Sequence, residues 1–195
     1  MNVTRAAVSA QSQAACFVDR DGTLMVDTHY PSDPDRVRVI PGAADALIAC
    51  NTVGVPVIIV TNQSGISRGL LTEAQYQLVR ARLESELARA GARVDATYHC
   101  PHWIDITGPC DCRKPGLGMY QRAAADHGLD LSRSGYIGDR WRDVQPAVQT
   151  GGVGVLVPSV DTSDADVQSA RAYAYVMPSL GDAVSHFLAT LRSHL

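Results

Sequence analysis

Cys16-Phe17-Val18-Asp19-Arg20-Asp21-Gly22-Thr23-Leu24 decides the reading of this chain: a short apolar run delivers two carboxylates, one residue apart, into a glycine turn. In an extended backbone alternate side chains point to the same side, so Asp19 and Asp21 face one pocket at the strand's end. Gly22 lets the chain turn sharply and brings its backbone close to a ligand. Two carboxylates about 4 Å apart at an effective dielectric near ~20 repel by about 4 kcal/mol, so a positive charge belongs beside them, and a metal ion is the obvious source. A solvated Asp-Gly turn is the plain alternative. A calcium loop fails, because Thr23, Leu24 and Tyr30 stand where it needs a third acid or amide, a glycine and a glutamate.

At 195 residues the chain has room for one domain with a full core and not for two ordinary domains with a linker. Residues 1–13, small and polar with one arginine, read as a flexible N-terminal extension, and residues 14–195 as the single domain. A hydrophobic fraction of 46% without a long apolar run describes a soluble protein with no membrane span, expected in the cytoplasm and as a monomer. The net charge of −3 offers no general field for nucleic acid, so an anionic small molecule must be drawn in by local cations. Cys100, Cys110 and Cys112 cluster while Cys16 and Cys50 stand alone in apolar segments; that suits a metal site in a reducing compartment better than a disulfide framework.

Outward from the first stretch, residues 14–18 read as a strand, followed by a long polar loop with Asp27, His29, Tyr30 and two prolines, a lid or specificity element. A helix from Pro41-Gly42 to about Thr52 leads to a buried strand at 55–60, which ends in Thr61-Asn62-Gln63-Ser64-Gly65-Ile66-Ser67-Arg68-Gly69. Hydroxyls, amides and glycine-freed N–H groups converge there and can cradle a phosphate; a polar loop capping the next helix is the alternative. Thr72-Glu73-Ala74-Gln75 begins that helix as a capping box, and it runs to about Gly91. Residues 94–100 form a third strand.

Cys100-x-His102 and Cys110-x-Cys112, with Gly108 and Pro109 supplying the bend, make a closed four-ligand zinc site in a loop. His99 is the rival imidazole; the symmetric spacing favours His102. A filled coordination shell holds structure and does not activate water. Arg113-Lys114-Pro115 follows directly, so the zinc fixes the approach of two cations, and Pro115-Gly116 opens a helix to about His127. Residues 134–137 form a fourth strand ending in Gly138-Asp139-Arg140-Trp141-Arg142-Asp143, with two acids four residues apart; Asp143 alone also reads as a helix N-terminal acid. A fifth strand at 153–157, a polar loop at 158–170 and a closing helix at 179–195 complete the chain.

Strands alternating with helices, with every polar loop at a strand's carboxyl end, give an α/β fold: a three-layer αβα, Rossmann-like parallel sheet with its site along one edge. Asp19-x-Asp21-Gly22-Thr23, Thr61, Lys114 and Gly138-Asp139 with Asp143 resemble, in order, the four motifs of the haloacid dehalogenase superfamily. Asp19 to Thr23, residues 62–69 and Cys110-x-Cys112-Arg113-Lys114-Pro115 are similar to its zinc-loop family of heptose-bisphosphate phosphatases and histidinol-phosphatase relatives. The resemblance implies a haloacid dehalogenase-like domain without a separate cap domain. It also implies Mg²⁺-dependent hydrolysis of a small phosphorylated sugar, with the 7-phosphate of a heptose bisphosphate the leading choice. Asp19 is then the nucleophile, Asp21 the acid and base, and Thr61 and Lys114 complete the catalytic cradle. Mg²⁺ is held by Asp19, Asp21 and Asp139, and Zn²⁺ by the three cysteines and His102. Asp27, His29, Tyr30, Asn62, Gln63, Ser64, Arg68, Arg113 and Arg140 are the expected substrate contacts. A histidinol-phosphate phosphatase, a 3′-phosphatase on DNA ends and a non-catalytic zinc-loop binding module are the alternatives.

Overall fold

A computed structural model describes residues 12–193. Six parallel strands form one sheet in the order β3-β2-β1-β4-β5-β6. In chain order the elements are β1 (Cys16–Val18), α1 (Ala43–Thr52), β2 (Val57–Asn62), α2 (Glu73–Arg89), β3 (Ala96–Cys100) and the one-turn α3 (Ile104–Thr107). They continue with α4 (Gly118–His127), β4 (Gly135–Gly138), α5 (Trp141–Thr150), β5 (Val153–Leu156), α6 (Asp164–Tyr173), β6 (Tyr175–Val176) and α7 (Leu180–Ser193).

Alternation along the strands sorts the core into two layers. Cys16, Val18, Val57 and Ile59 face Leu47 of α1, Leu83 of α2 and Phe187 of α7. Phe17, Ile58, Val60 and Tyr136 face Met119 and Tyr120 of α4 and Ala147 of α5. Because both faces are covered, the strands are continuously apolar, as buried parallel strands are. Phe17 meets Tyr120 edge-on at 5.1 Å and stacks on Tyr136 at 5.3 Å, which ties the central strand to one helical layer.

β1 lies between β2 and β4, with register Val18 to Ile59 on one side and Val18 to Ile137 on the other. The connections leave in opposite directions from this centre, so the carboxyl ends of β1, β2 and β4 open a crevice where ligands bind in such sheets. No insertion among the described residues is large enough for a separate cap domain.

Several boundaries move from the sequence expectation. Thr61 lies inside β2 and not beyond it. β3 begins at Ala96, two residues later than expected, and ends at Cys100 as expected, so the first ligand of the cysteine loop is the last residue of a strand. The helix after Lys114 begins at Gly118, three residues later than its proline. The stretch 158–170, expected as a polar loop, contains the start of α6, which Ser163 and Asp166 open as a reciprocal capping box, and β6 follows it. Only Ala170 of α6 is buried, so its apolar periodicity is too thin to announce it. Of the expected N-terminal extension, residues 1–11 lie outside the described residues. Gln13 donates to Gly128 O at 3.1 Å and accepts from Asp130 N at 2.9 Å, so it joins the turn after α4. Residues 194–195 of the closing helix also lie outside.

Candidate active site

β1 ends at Val18, and the Asp19 N–H continues its ladder by donating to Ile137 O at 2.9 Å, which fixes the first carboxylate at the sheet's centre. Lys114 reaches it from the far side of β2. Its Nζ donates to Asp19 Oδ1 at 2.7 Å and to Val60 O at 2.6 Å, and pairs with Asp143 Oδ1 at 2.8 Å. Burial alone would lower the lysine's pKa, but the two carboxylates outweigh it and hold Lys114 above its ordinary value. The ammonium is therefore charged, and it occupies one oxygen of Asp19 while leaving the other to the cleft. Asn62 orients the arriving chain by accepting from Lys114 N at 3.0 Å and donating to Lys114 O at 3.2 Å.

Asp21 is gripped differently. The guanidinium of Arg20, fully buried, donates through Nε and Nη2 at 3.1 and 2.9 Å to its two oxygens. Gln63 Nε2 adds a bond to Asp21 Oδ2 at 2.8 Å and another to Thr61 Oγ1 at 2.9 Å. The second acid is thus oriented from below by a paired cation.

Asp139 arrives from the end of β4 and accepts from Ser159 Oγ at 2.7 Å. Burial, and then the carboxylates of Asp19 and Asp143, push its pKa up to about 7. Ligand oxygens of Asp19, Asp139 and Asp143 all lie within 4.8 Å of one another. Three buried carboxylates with Lys114 on one side only are a hard-oxygen donor set suited to a divalent cation.

These groups open into one cleft of about 430 Å³. The β1 loop lines it with Asp19, Asp21, Asp27, His29 and Tyr30; β2 and its loop add Thr61, Asn62, Gln63 and Ser64. Arg113 and Lys114 come from the cysteine loop, and Asp139 and Arg140 from the end of β4. Arg68 stands apart from the rest: it is exposed at the rim, with its guanidinium 5.3 Å over the Tyr30 ring, and donates to the Tyr30 hydroxyl. His29 and Tyr30 take left-handed backbone angles, φ 54° and 59°, which are uncommon outside glycine and concentrate at functional loops. A larger hollow of about 710 Å³ opens beside the cleft between Ile40, Ala46, Val157 and Leu180, without Asp19, Asp21 or Asp139 on its wall. The acidic cluster with Lys114 therefore opens into the smaller space.

Trp103 and Arg142 also line the cleft, and neither was singled out from sequence. Asp143 was expected near the active edge beside Asp139; its pairing with Lys114 was not. Trp103 has a weak signal, being the residue next to a candidate metal ligand.

Cys100, His102, Cys110 and Cys112 bring their ligand atoms within 4.8 Å of one another. Cys100 Sγ lies 3.7 Å from Cys110 Sγ and 2.9 Å from Cys112 Sγ, and His102 Nδ1 lies 3.2 Å from Cys112 Sγ. Sulfurs about 2.3 Å from a tetrahedral zinc are about 3.8 Å apart; the Cys100–Cys110 pair meets that spacing and the Cys100–Cys112 pair is closer, so it is the convergence of four soft donors that suits the ion. Burial and the other two thiols push the Cys112 thiol well up. His99 turns elsewhere, stacking on Tyr76 at 4.2 Å and meeting Glu73 at 3.2 Å.

A parallel sheet with an Asp-x-Asp loop, a buried lysine and a third acidic loop at its central crevice defines a haloacid dehalogenase-like hydrolase. The family model described as HAD-hydrolase-like matches residues 111–183. The chain is 36% identical over 178 residues to the D-glycero-beta-D-manno-heptose-1,7-bisphosphate 7-phosphatase of Yersinia pestis, covering 88% of this chain and 94% of that protein. It is 36% identical over 179 residues to the Escherichia coli K12 protein of the same name, covering 89% and 93%. The D,D-heptose 1,7-bisphosphate phosphatase of B. bronchiseptica, solved with magnesium and phosphate, superposes with a TM-score of 0.79 at 29% identity, covering 91% of this chain and 99% of that one. A HAD-like phosphatase from Mesorhizobium loti superposes equally, at 0.79 and 32% identity, covering 93% and 87%. The chain belongs to the D-glycero-beta-D-manno-heptose-1,7-bisphosphate 7-phosphatase family and is a phosphatase.

Proposed function

We propose that this phosphatase removes the 7-phosphate of a D-glycero-D-manno-heptose 1,7-bisphosphate through an aspartyl-phosphate on Asp19. The observation that carries the reading is the buried Lys114, which holds one oxygen of Asp19 at 2.7 Å and leaves the other facing a cleft rimmed by arginines. The free Asp19 oxygen attacks phosphorus, and the bond from phosphorus to the sugar oxygen breaks. Asp21 gives a proton to the departing alkoxide; it then takes one from the water that cleaves the acyl phosphate and releases inorganic phosphate. Lys114 and Thr61 face the transferring group, and Asn62, Gln63 and Ser64 cradle its oxygens. Asp27, His29, Tyr30, Arg68, Arg113 and Arg140 address the sugar and its second phosphate.

Asp19, Asp139 and the main-chain oxygen of Asp21 are the residues that would hold Mg²⁺. When bound, the ion offsets the repulsion between a dianionic phosphate and the acidic pocket. Asp143 we assign to Lys114 as its second anchor. Cys100, His102, Cys110 and Cys112 would hold Zn²⁺ in a structural role, since four protein ligands leave no open position. We extend the reading to a monomer in the cytoplasm, a compartment that keeps such thiols reduced. Light scattering on the purified protein tests the first part.

Histidinol phosphate is the rival substrate of the same chemistry. It carries an amine and an imidazole where the bisphosphate carries a second anion, and the cleft offers Arg113, Arg140 and Arg142. Parallel turnover of both heptose bisphosphate anomers and of histidinol phosphate, with and without Mg²⁺, tests the reading. Heptose 1-phosphate as the product supports it; preference for histidinol phosphate removes it.

A further inference from the structure

We propose that Trp103 is a positioning residue that selects substrates carrying a second anionic group, by tying the guanidiniums of Arg68 and Arg113 to one ring at the mouth of the cleft. The inference rests on the sugar-bisphosphate reading and names the residue through which that preference is built. Arg113 lies 4.8 Å from the centre of the Trp103 ring, and Arg68 lies 5.2 Å from the same ring. The two arginines come from different parts of the chain, one following the last cysteine of the loop and the other on the loop after β2, and Trp103 is their common contact.

Among the described residues neither arginine has a carboxylate within ion-pair distance. Arg113 instead donates to His102 O at 3.3 Å, and Arg68 donates to the Tyr30 hydroxyl. Each guanidinium has five N–H donors, so most remain for a ligand. Stacking on an aromatic face holds a guanidinium in place without neutralising it, which leaves its edge free to grip an anion. Arg142 brings a third positive charge to the same wall. Like charges gathered this way are relieved when an anion comes between them.

The ring itself is fixed. Trp103 Nε1 donates to Asp105 Oδ2 at 3.0 Å, and the residue before it is His102 of the cysteine loop. Tyr30, the outer support of Arg68, is seated against Gly65, where a Cβ would fall 2.5 Å from the tyrosine ring. The arrangement is a braced tier and not a pair of loose surface arginines.

The test is kcat and KM, with Mg²⁺, for the parent, Trp103→Ala and Trp103→Phe on three substrates: a heptose 1,7-bisphosphate, the same heptose 7-phosphate and 4-nitrophenyl phosphate. Losing two cation–π supports predicts a rise of about tenfold to thirtyfold in KM for the bisphosphate in Trp103→Ala, with kcat nearly unchanged. The two monophosphates should change by less than about threefold, and Trp103→Phe should recover most of the loss. Equal losses on all three substrates, or an unchanged KM for the bisphosphate, would overturn the assignment. A parent that turns over all three without preferring the bisphosphate would overturn the substrate reading and this inference together. A preference that survives in Trp103→Ala removes only the inference.

Discussion

Gly22 lies directly against the carboxylate of Asp139: a Cβ at position 22 would fall 2.4 Å from Asp139 Oδ2. The glycine also has φ +81°, a left-handed angle that L side chains rarely adopt. The turn that follows the two first acids is therefore shaped around the third, and the loops of β1 and β4 interlock through one missing methyl group.

Gly22→Ala should move Asp139 and strain the turn together. We expect kcat/KM to fall by about a hundredfold or more, as a misplacement near 1 Å commonly costs. The Mg²⁺ concentration for half-maximal activity should rise, and stability should fall by about 1 kcal/mol or more. Activity against a Mg²⁺ series, with urea denaturation on the same preparation, checks both effects. Parent-like Mg²⁺ dependence would separate Gly22 from the metal.

Lys114 has two acidic partners, so losing either one leaves its buried ammonium paired. Asp19→Asn should abolish turnover while the fold survives, because an amide is no nucleophile here and Asp143 remains at 2.8 Å. Asp143→Asn should be less stable but folded. The double variant strands the charge and should lose more stability than the two single losses summed, by about 1 kcal/mol or more. A double-mutant cycle in urea measures this coupling; strict additivity would mean that the two carboxylates do not share the lysine.

The raised pKa of Asp139 makes metal-free stability depend on pH in a definite direction. Unfolded, this carboxyl titrates near the ordinary value of 3.8, and folded it titrates at about 7. Between those values the folded chain keeps a proton that the unfolded chain has released, so this group's contribution to stability falls as pH rises through that window. Mg²⁺ binds the deprotonated form, so it should raise Tm more at pH 8 than at pH 5. Melting curves with and without MgCl₂ at both values test this, and an equal shift at the two would contradict it.

Cys110→Ser should bind less zinc and keep most of its helix and strand signal, since this half-buried residue packs only on the margin of one core layer. It should lose activity that added Mg²⁺ does not restore, because Arg113 and Lys114 follow the loop directly. Elemental analysis, circular dichroism and kinetics on one preparation give the answer. Full kcat/KM without zinc would make the loop a staple only, and complete unfolding would show that it supports the whole domain.

What could be read in advance was what neighbours in sequence enforce. The Asp19-to-Thr23 turn, the Thr72 and Gln75 capping box and the four-ligand loop each depend on residues close together along the chain. What escaped depends on partners far apart. Asp143 acquires its partner only when Lys114, 29 positions earlier, is brought beside it by the sheet. Trp103 acquires its own only when Arg68 arrives from the loop after β2. The helix Asp164–Tyr173 was hidden for another reason: with Ala170 its only buried residue, it packs too little apolar surface to leave a periodic trace.

The chain has two tryptophans, and both stand beside the cleft. Trp103 is on its wall within reach of two guanidiniums, while Trp141 follows Arg140 and leans on Tyr173 at 6.0 Å. Excited on the red edge of the spectrum, where the seven tyrosines absorb little, the protein's indole emission is therefore a built-in optical label of this one region. Replacing Trp141 by phenylalanine leaves a single indole, on the wall of the cleft, whose intensity reports ligand arrival in a stopped-flow instrument without any attached dye.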